Sequence, residues 1–130
     1  MENKRTIIYA EDEASIMNMY KMLHEKMLPN YDAEFYNDGE SLEARLKKIL
    51  IKNNGVKVIT LDNDIKTGKQ GSELIREYSQ KLNIPMILCY GGDDSIGQKA
   101  LENGAYKFFL KPFSMVELYD TLNDILNPSE

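Results

Sequence analysis

The sequence predicts an α/β fold in which one parallel sheet is covered by helices on both faces. Two observations carry this prediction. Five short apolar runs alternate along the chain with five longer amphipathic segments. Four of those runs are almost continuously apolar or β-favouring, as strands buried on both faces are. Strands and helices that alternate in this way form βαβ units, which build parallel sheets.

The predicted strands are the runs at residues 6–10, 33–36, 56–61, 85–90 and 106–110. The second run, AEFY, is short and alternates in polarity, which favours an edge of the sheet. Right-handed crossovers leave few topologies for five such units. The flavodoxin-like (βα)5 strand order 2-1-3-4-5 is favoured among them, and it places a ligand crevice at the carboxyl ends of strands 1 and 3.

The five intervening segments carry apolar residues at helical spacing, as the first does with Ile16, Tyr20, Leu23 and Met27. The fourth helix is expected to end at Asn103-Gly104, because this pair is a common helix stop. Capping-box spacing predicts that Ser95 and Ser114 cap the fourth and fifth helices. We interpret His24 as a surface residue of the first helix.

Length and composition indicate one domain that spans residues 1–130. The net charge of -5 argues against generic nucleic-acid binding, which needs a positive face. The single cysteine, Cys89, excludes an internal disulfide and fits a reducing compartment. The sequence shows no signal peptide and no apolar run of membrane-spanning length. We therefore predict a cytoplasmic protein with no membrane partner.

Acidic residues follow two of the predicted strands. Glu11 and Asp12 come after strand 1, Asp62 ends strand 3, and Lys111 ends strand 5. In the predicted topology these four side chains meet at one edge of the sheet. Two like charges about 4 Å apart repel by roughly 4 kcal/mol at an effective dielectric near 20, so the acids need a cation. Mg²⁺ suits such oxygen ligands, and the set fits phosphoryl transfer to a carboxylate nucleophile.

With these residues in place, the whole chain resembles the receiver domain of two-component response regulators. The stretches that carry the resemblance are IIYAEDEASI, VITLD, IPMIL and, above all, ALENGAYKFFLKPF. The resemblance implies that Asp62 accepts a phosphoryl group and that Lys111 contacts its oxygens. It also implies a switch aromatic at Phe108 and a cis Lys111–Pro112 bond.

The same resemblance implies a Mg²⁺ site formed by Glu11, Asp12, Asp62 and the backbone carbonyl of Asn63. Asp64 stands at a position where variation in the family tunes the lifetime of the phosphoryl group.

The chain departs from the family pattern at two places. Tyr90 stands where the family has a serine or threonine at the end of strand 4, and Gly91 follows it. We expect the Tyr90 ring to point outward or along the loop after strand 4, or to occupy the space into which Phe108 would rotate. The backbone N–H of Gly91 is then expected to contact the phosphoryl group. The loop after Asp62 lacks the usual proline, and its glycine, Gly71, comes one residue late.

The favoured function is a stand-alone receiver in a phosphorelay, phosphorylated by a histidine kinase or a histidine phosphotransfer protein. No output domain is expected, because the sequence ends about one turn after the fifth helix. Output then requires contact with another protein, predicted at the face formed by helix 4, strand 5 and helix 5. Beyond self-catalysed phosphoryl transfer and hydrolysis, no enzymatic activity is predicted.

Two alternatives stay open at this point. Tyr90 motivates a receiver that docks a partner without being phosphorylated. The DND sequence at residues 62–64 motivates a small phosphatase with an Asp-x-Asp motif, in which Asp64 acts as acid and base.

Overall fold

The computed structural model describes residues 5–128. Its five strands form one parallel sheet in the order β2-β1-β3-β4-β5, which confirms the predicted topology. The strands are β1 (Thr6–Ala10), β2 (Asp32–Tyr36), β3 (Val56–Asp62), β4 (Met86–Tyr90) and β5 (Lys107–Leu110). The helices are α1 (Ala14–Met27), α2 (Gly39–Ile51), α3 (Gly71–Leu82), α4 (Asp94–Glu102) and α5 (Met115–Leu126).

Burial follows the position of each strand in the sheet. Every residue of β1 and β4 is buried, whereas β2 is half-buried at the edge where its short alternating sequence predicted it. Alternate residues of β1 enter two separate cores. Ile8 and Ala10 pack beneath α2, α3 and α4, and Ile7 and Tyr9 pack beneath α1 and α5. The two cores cover both faces of the sheet, so only the strand ends and loops remain open to a ligand.

The helix ends agree with the sequence in part. Ser114 caps α5, where its hydroxyl accepts hydrogen bonds from the backbone N–H groups of Val116 and Glu117. The prediction for Ser95 is wrong, because Asp93 caps α4 and accepts the Ser95 N–H at 2.9 Å. A carboxylate is the better cap here, since it also interacts favourably with the helix dipole.

Two further helix ends complete this comparison. The α4 helix stops at Asn103, and Gly104 follows with φ of +109°, as predicted. A capping box forms at the start of α3 instead, between Gln70 and Glu73.

The inward face of α1 differs from the predicted one. Its buried residues are Met17, Tyr20 and His24, whereas Met27 is 48% exposed. The interpretation of His24 as a surface residue is therefore wrong.

The His24 ring is satisfied by two partners inside the protein. Its Nε2 lies 2.8 Å from the Tyr31 carbonyl oxygen, and its Nδ1 lies 2.9 Å from the Tyr9 hydroxyl. A carbonyl only accepts hydrogen bonds, so Nε2 carries a proton, and in the neutral imidazole Nδ1 then accepts from the Tyr9 hydroxyl. Both partners lie outside α1, so the spacing within the helix gave no sign of them.

Within residues 5–128, no helix combines the length and the apolar content that a membrane span requires.

Candidate functional site

Three carboxylates meet where β1 and β3 end, side by side in the middle of the sheet. One oxygen each from Glu11, Asp12 and Asp62 lies within 4.8 Å of the others. Glu11 and Asp62 are 1% and 3% exposed, and Asp12 is partly buried. The predicted convergence of the acidic residues is therefore present in the structure.

Lys111 supplies the positive charge of this cluster. Its Nζ lies 3.1 Å from Glu11 Oε1 and 3.1 Å from Asp62 Oδ1. The Lys111 backbone N–H donates to the Tyr90 carbonyl at 2.7 Å, which fixes the chain as it leaves β5. The following bond to Pro112 is cis, as the sequence resemblance implied.

One lysine does not balance the acids. Burial, together with the neighbouring charge of Asp62, raises the pKa of Glu11, and burial also raises the pKa of Asp62. Burial lowers the pKa of Lys111, but its ion pairs with Asp62 and Glu11 outweigh burial and leave that pKa raised. A further positive charge in the crevice would favour the ionised form of both acids.

The donor set fits a hard divalent cation such as Mg²⁺. All three converging groups are carboxylates, and Mg²⁺ prefers oxygen ligands. Within residues 5–128, the buried Asp62 Oδ1 has no partner in hydrogen-bonding geometry, although Lys111 lies close to it. Apart from its ion pair with Lys111, this oxygen therefore has no donor that a cation would have to displace.

The backbone around the acids is fixed by main-chain donors. The Glu13 N–H donates to Glu11 Oε2 at 3.1 Å, and the Glu11 N–H donates to the Tyr36 carbonyl at 3.0 Å. Sequence reasoning missed Glu13, because the group that acts is its backbone N–H and its side chain gives no signal.

Asn63 lies directly after β3, at the start of the connection to α3. Its carbonyl accepts the Gly71 N–H at 3.0 Å, and its side-chain Oδ1 accepts the Ser72 N–H at 2.9 Å. The carbonyl that was predicted to bind Mg²⁺ thus accepts one hydrogen bond from the start of α3. A carbonyl oxygen has a second lone pair, so this hydrogen bond does not exclude it as a metal ligand. Gly71 is needed at this contact, since a Cβ there would lie 2.5 Å from the Asp62 carbonyl oxygen.

Asp64 lies at the rim of the crevice, where its side chain is exposed. Its Oδ1 is 3.5 Å from Asn63 Nδ2. Its backbone N–H lies against the Asp62 carboxylate and acts to lower the pKa of that group, although burial prevails. Asp64 therefore contacts the crevice through its backbone and keeps its carboxylate in water.

Tyr90 is fully buried, so the expectation that it points outward is wrong. Strand alternation gives the reason, because Tyr90 lies on the same face of β4 as Met86 and Leu88, beneath α3 and α4. Its hydroxyl donates to the Asp94 carbonyl at 3.5 Å. The side chain thus runs along the loop after β4, which was the alternative expectation.

Phe108 packs against the buried Tyr90 ring. The two ring centroids are 5.6 Å apart. On its other side Phe108 lies on Gly97 of α4, where a Cβ would come within 2.5 Å of the ring. Gly91, by contrast, is exposed, and a Cβ added there would meet no atom within 4 Å.

A cleft of about 410 Å³ opens beside Lys111, between the start of α1 and the start of α5. Its apolar wall is formed by Ile16, Met19, Phe113 and Met115. An apolar surface therefore borders the acidic cluster.

No family model matches the chain, and no curated protein is similar to it at a significant level. Solved structures do match. The receiver domain of NtrC4, determined as a beryllofluoride-activated dimer, is 24% identical with a TM-score of 0.74, and the match covers 92% of this chain and 94% of that one.

Two further matches are similar in extent. The receiver domain of a Francisella response regulator is 23% identical with a TM-score of 0.78, over 98% of this chain and all of that one. The signal receiver domain of a DNA-binding response regulator from Colwellia psychrerythraea is 19% identical with a TM-score of 0.81, over 95% and 98% of the two chains. The chain thus has the flavodoxin-like fold of CheY-like response regulator receiver domains.

Proposed function

We propose that the chain is a receiver that accepts a phosphoryl group from a phosphohistidine onto Asp62. The observation that carries this proposal is the convergence of Glu11, Asp12, Asp62 and Lys111 at one edge of the sheet. A phosphoryl group in transfer carries negative charge on its peripheral oxygens, and this site offers a carboxylate nucleophile beside a fixed cation.

The proposed transfer exchanges one bond to phosphorus for another. An Asp62 carboxylate oxygen forms a bond to phosphorus as the bond from phosphorus to the donor imidazole nitrogen breaks. The electron pair of the broken bond stays on the imidazole. Hydrolysis ends the phosphorylated state. Water attacks phosphorus, Asp62 leaves as a carboxylate, and inorganic phosphate is released.

Lys111 has a changed set of partners during this cycle. Before transfer its Nζ pairs with Glu11 and Asp62. After transfer the Asp62 carboxylate has become an acyl phosphate, and the negative charge lies on the phosphoryl oxygens. Lys111 can then contact one of those oxygens. The Gly91 N–H is proposed as a second donor to those oxygens.

Glu11, Asp12 and Asp62 are proposed to hold Mg²⁺. The bound ion would neutralise charge shared between the acids and the phosphoryl oxygens. The Asn63 carbonyl accepts one hydrogen bond from α3 and is proposed as a further ligand through its second lone pair, with water and the phosphoryl group in the remaining positions.

A protein phosphodonor is the proposed input partner, either a histidine kinase or a histidine phosphotransfer protein. The donor must bring its phosphohistidine to the crevice, so it must cover the surface next to Lys111. The cleft walled by Ile16, Met19 and Phe113 lies there and offers apolar contact area. We propose that this transfer takes place in the cytoplasm.

Output is proposed through contact with another protein at the surface formed by α4, β5 and α5. Large apolar side chains are exposed on it, at Leu101, Tyr106, Leu110 and Val116. Phosphorylation at Asp62 would reach this surface through Phe108, which lies between β4 and α4.

Two other functions remain open. The buried Tyr90 favours the second candidate, a receiver that docks its partner without phosphorylation, because its ring already packs against the switch aromatic. A phosphatase with Asp64 as acid and base is a weaker candidate, and turnover of a generic phosphate monoester would reveal it.

The decisive experiment is phosphoryl labelling. Incubation with Mg²⁺ and acetyl phosphate is expected to add one phosphoryl group per chain, observed by intact-mass spectrometry. Asp62→Asn should abolish the added mass, and Asp64→Asn, its matched control two residues away, should retain it. Labelling that persists in Asp62→Asn would overturn the assignment, and no labelling of the wild type would favour the docking function.

A further inference from the structure

The loop from Asn63 to Gln70, named here the acceptor loop, packs backbone against backbone on the start of α2. The Gly39 N–H donates to the Lys66 carbonyl at 2.6 Å. A Cβ on Gly39 would overlap the Thr67 carbonyl oxygen, and a Cβ on Gly68 would lie 3.1 Å from the Glu40 nitrogen. Glycine on both sides of the contact therefore permits this close approach.

Lys69 reinforces the contact with charge. Its Nζ lies 3.1 Å from Glu43 Oε2 on α2, and it also pairs with Glu77 on α3. The Tyr78 hydroxyl donates to the same Glu43 oxygen at 2.7 Å. One side chain of the acceptor loop thus links the loop to two helices.

The acceptor loop is connected directly to Asp62. The Asp64 backbone N–H lies against the Asp62 carboxylate. At the far end of the loop, Gly71 donates to the Asn63 carbonyl. A shift of the loop relative to α2 would therefore move groups that contact the acceptor.

We infer that Lys69 is a positioning residue, which holds the acceptor loop on α2 and α3 and so keeps Asp64 in place beside Asp62 for phosphoryl transfer. The inference rests on the proposed function of Asp62. It predicts that Lys69 affects the rate of phosphorylation although it does not contact the phosphoryl group.

The test compares Lys69→Met with Lys69→Arg and Lys66→Met. Lys66 lies three residues away on the same loop and is exposed, so its variant removes the same charge without breaking the link. The first measurement is amide hydrogen exchange at Gly39 and Gly71 in the unphosphorylated protein. The second is the initial rate of labelling by acetyl phosphate with Mg²⁺, and thermal unfolding checks that each variant is folded.

Lys69→Met is expected to speed exchange at Gly39 and to slow labelling about two- to fivefold, the range for an ion-pair network of this exposure. Lys69→Arg should restore both values, and Lys66→Met should match the wild type. If Lys69→Met is poorly folded, Glu77→Gln removes one half of the link and is measured in its place.

The outcomes separate this inference from the proposed function. If the wild type is not labelled, the proposed function fails, and the role of Lys69 fails with it. If the wild type is labelled and Lys69→Met behaves like Lys66→Met, the inference alone is overturned. Faster exchange with an unchanged labelling rate also overturns it, because the link would then be structural only.

Discussion

Tyr90 and Phe108 lie ring against ring, with centroids 5.6 Å apart and planes tilted by 48°. Tyr90 has no exposed surface, whereas Phe108 is partly exposed above Gly97. The tyrosine ring therefore fills the space beneath Phe108 on the side of β4. A short hydroxyl side chain at the same position would leave that space open.

Replacing Tyr90 with threonine is expected to strengthen the response to phosphorylation. The smaller side chain leaves room for Phe108 to move inward, and its hydroxyl is close enough to the backbone to reach a phosphoryl oxygen. A charged hydrogen bond of this kind contributes about 1.5–3 kcal/mol, comparable with the coupling between allosteric sites. The measurement is the change in amide chemical shifts of β4, α4 and β5 on addition of Mg²⁺ and beryllofluoride.

The control is Tyr90→Phe, which keeps the ring and removes only the hydroxyl. It should respond as weakly as the wild type. A full response in the wild type, with no increase in the threonine variant, would contradict this account of Tyr90.

Asp62→Asn is expected to stabilise the protein at neutral pH in the absence of Mg²⁺. The pKa of Asp62 is raised in the folded state, so its contribution to stability is fully present below the unfolded pKa and is lost as pH rises through the folded pKa. Asparagine carries no charge and avoids that loss. The variant should therefore be more stable than the wild type at pH 7.5.

The gain should shrink as pH falls towards 4, where the wild-type carboxyl groups become protonated. Urea unfolding at several pH values measures it, with Asp64→Asn at the exposed rim as the control. A variant less stable than the wild type at pH 7.5 would show that the Lys111 ion pair outweighs the burial of Asp62.

Asp64→Ala is expected to lengthen the half-life of the phosphorylated protein about threefold. The Asp64 carboxylate is exposed near Asp62, where it can take a proton from an attacking water. Its exposure limits the effect to well below that of an enclosed general base. The decay of the phosphorylated mass after removal of the phosphodonor gives the half-life. Asp64→Glu should stay near the wild-type value, and a shorter half-life in Asp64→Ala would indicate that the carboxylate repels water instead.

Gly71→Ala is expected to destabilise the fold by about 2 kcal/mol or more. The new Cβ would lie 2.5 Å from the Asp62 carbonyl oxygen, and a backbone atom at the end of a central strand has little room to move. Gly91→Ala is the matched control, because its Cβ would meet no atom within 4 Å. Thermal unfolding of the two variants measures the difference, and equal melting temperatures would show that α3 can shift away from Asp62.

One physical reason made both the order of the strands and the position of the acidic cluster predictable. Strands buried on both faces leave long apolar runs, and the residue that ends each run lies at the carboxyl edge of the sheet. Glu11, Asp62 and Lys111 could therefore be placed together from their positions after strands 1, 3 and 5.

The errors arose where a side chain has a partner from a distant part of the chain. His24 is polar, so helical spacing alone assigned it to the surface, yet Tyr9 and Tyr31 satisfy both of its ring nitrogens. The outward orientation of Tyr90 is inferred from a ring that is too large for the crevice. The alternation of β4 instead turns the ring into the core beneath α3 and α4. The contact between Gly39 and the acceptor loop depends on two backbones and leaves no periodic pattern in the sequence.

The hydrogen bond between His24 and Tyr9 makes the His24 ring a natural NMR probe of the contact between α1 and β1. His24 is the only histidine in the chain, so its imidazole nitrogens give a single set of resonances. Tyr9 lies on β1, two residues before Glu11. Any sliding of α1 against that strand would alter the hydrogen bond between Tyr9 and His24 Nδ1. The nitrogen chemical shifts of His24 can thus report a movement of α1 relative to β1 when ligands are added to the acidic cluster.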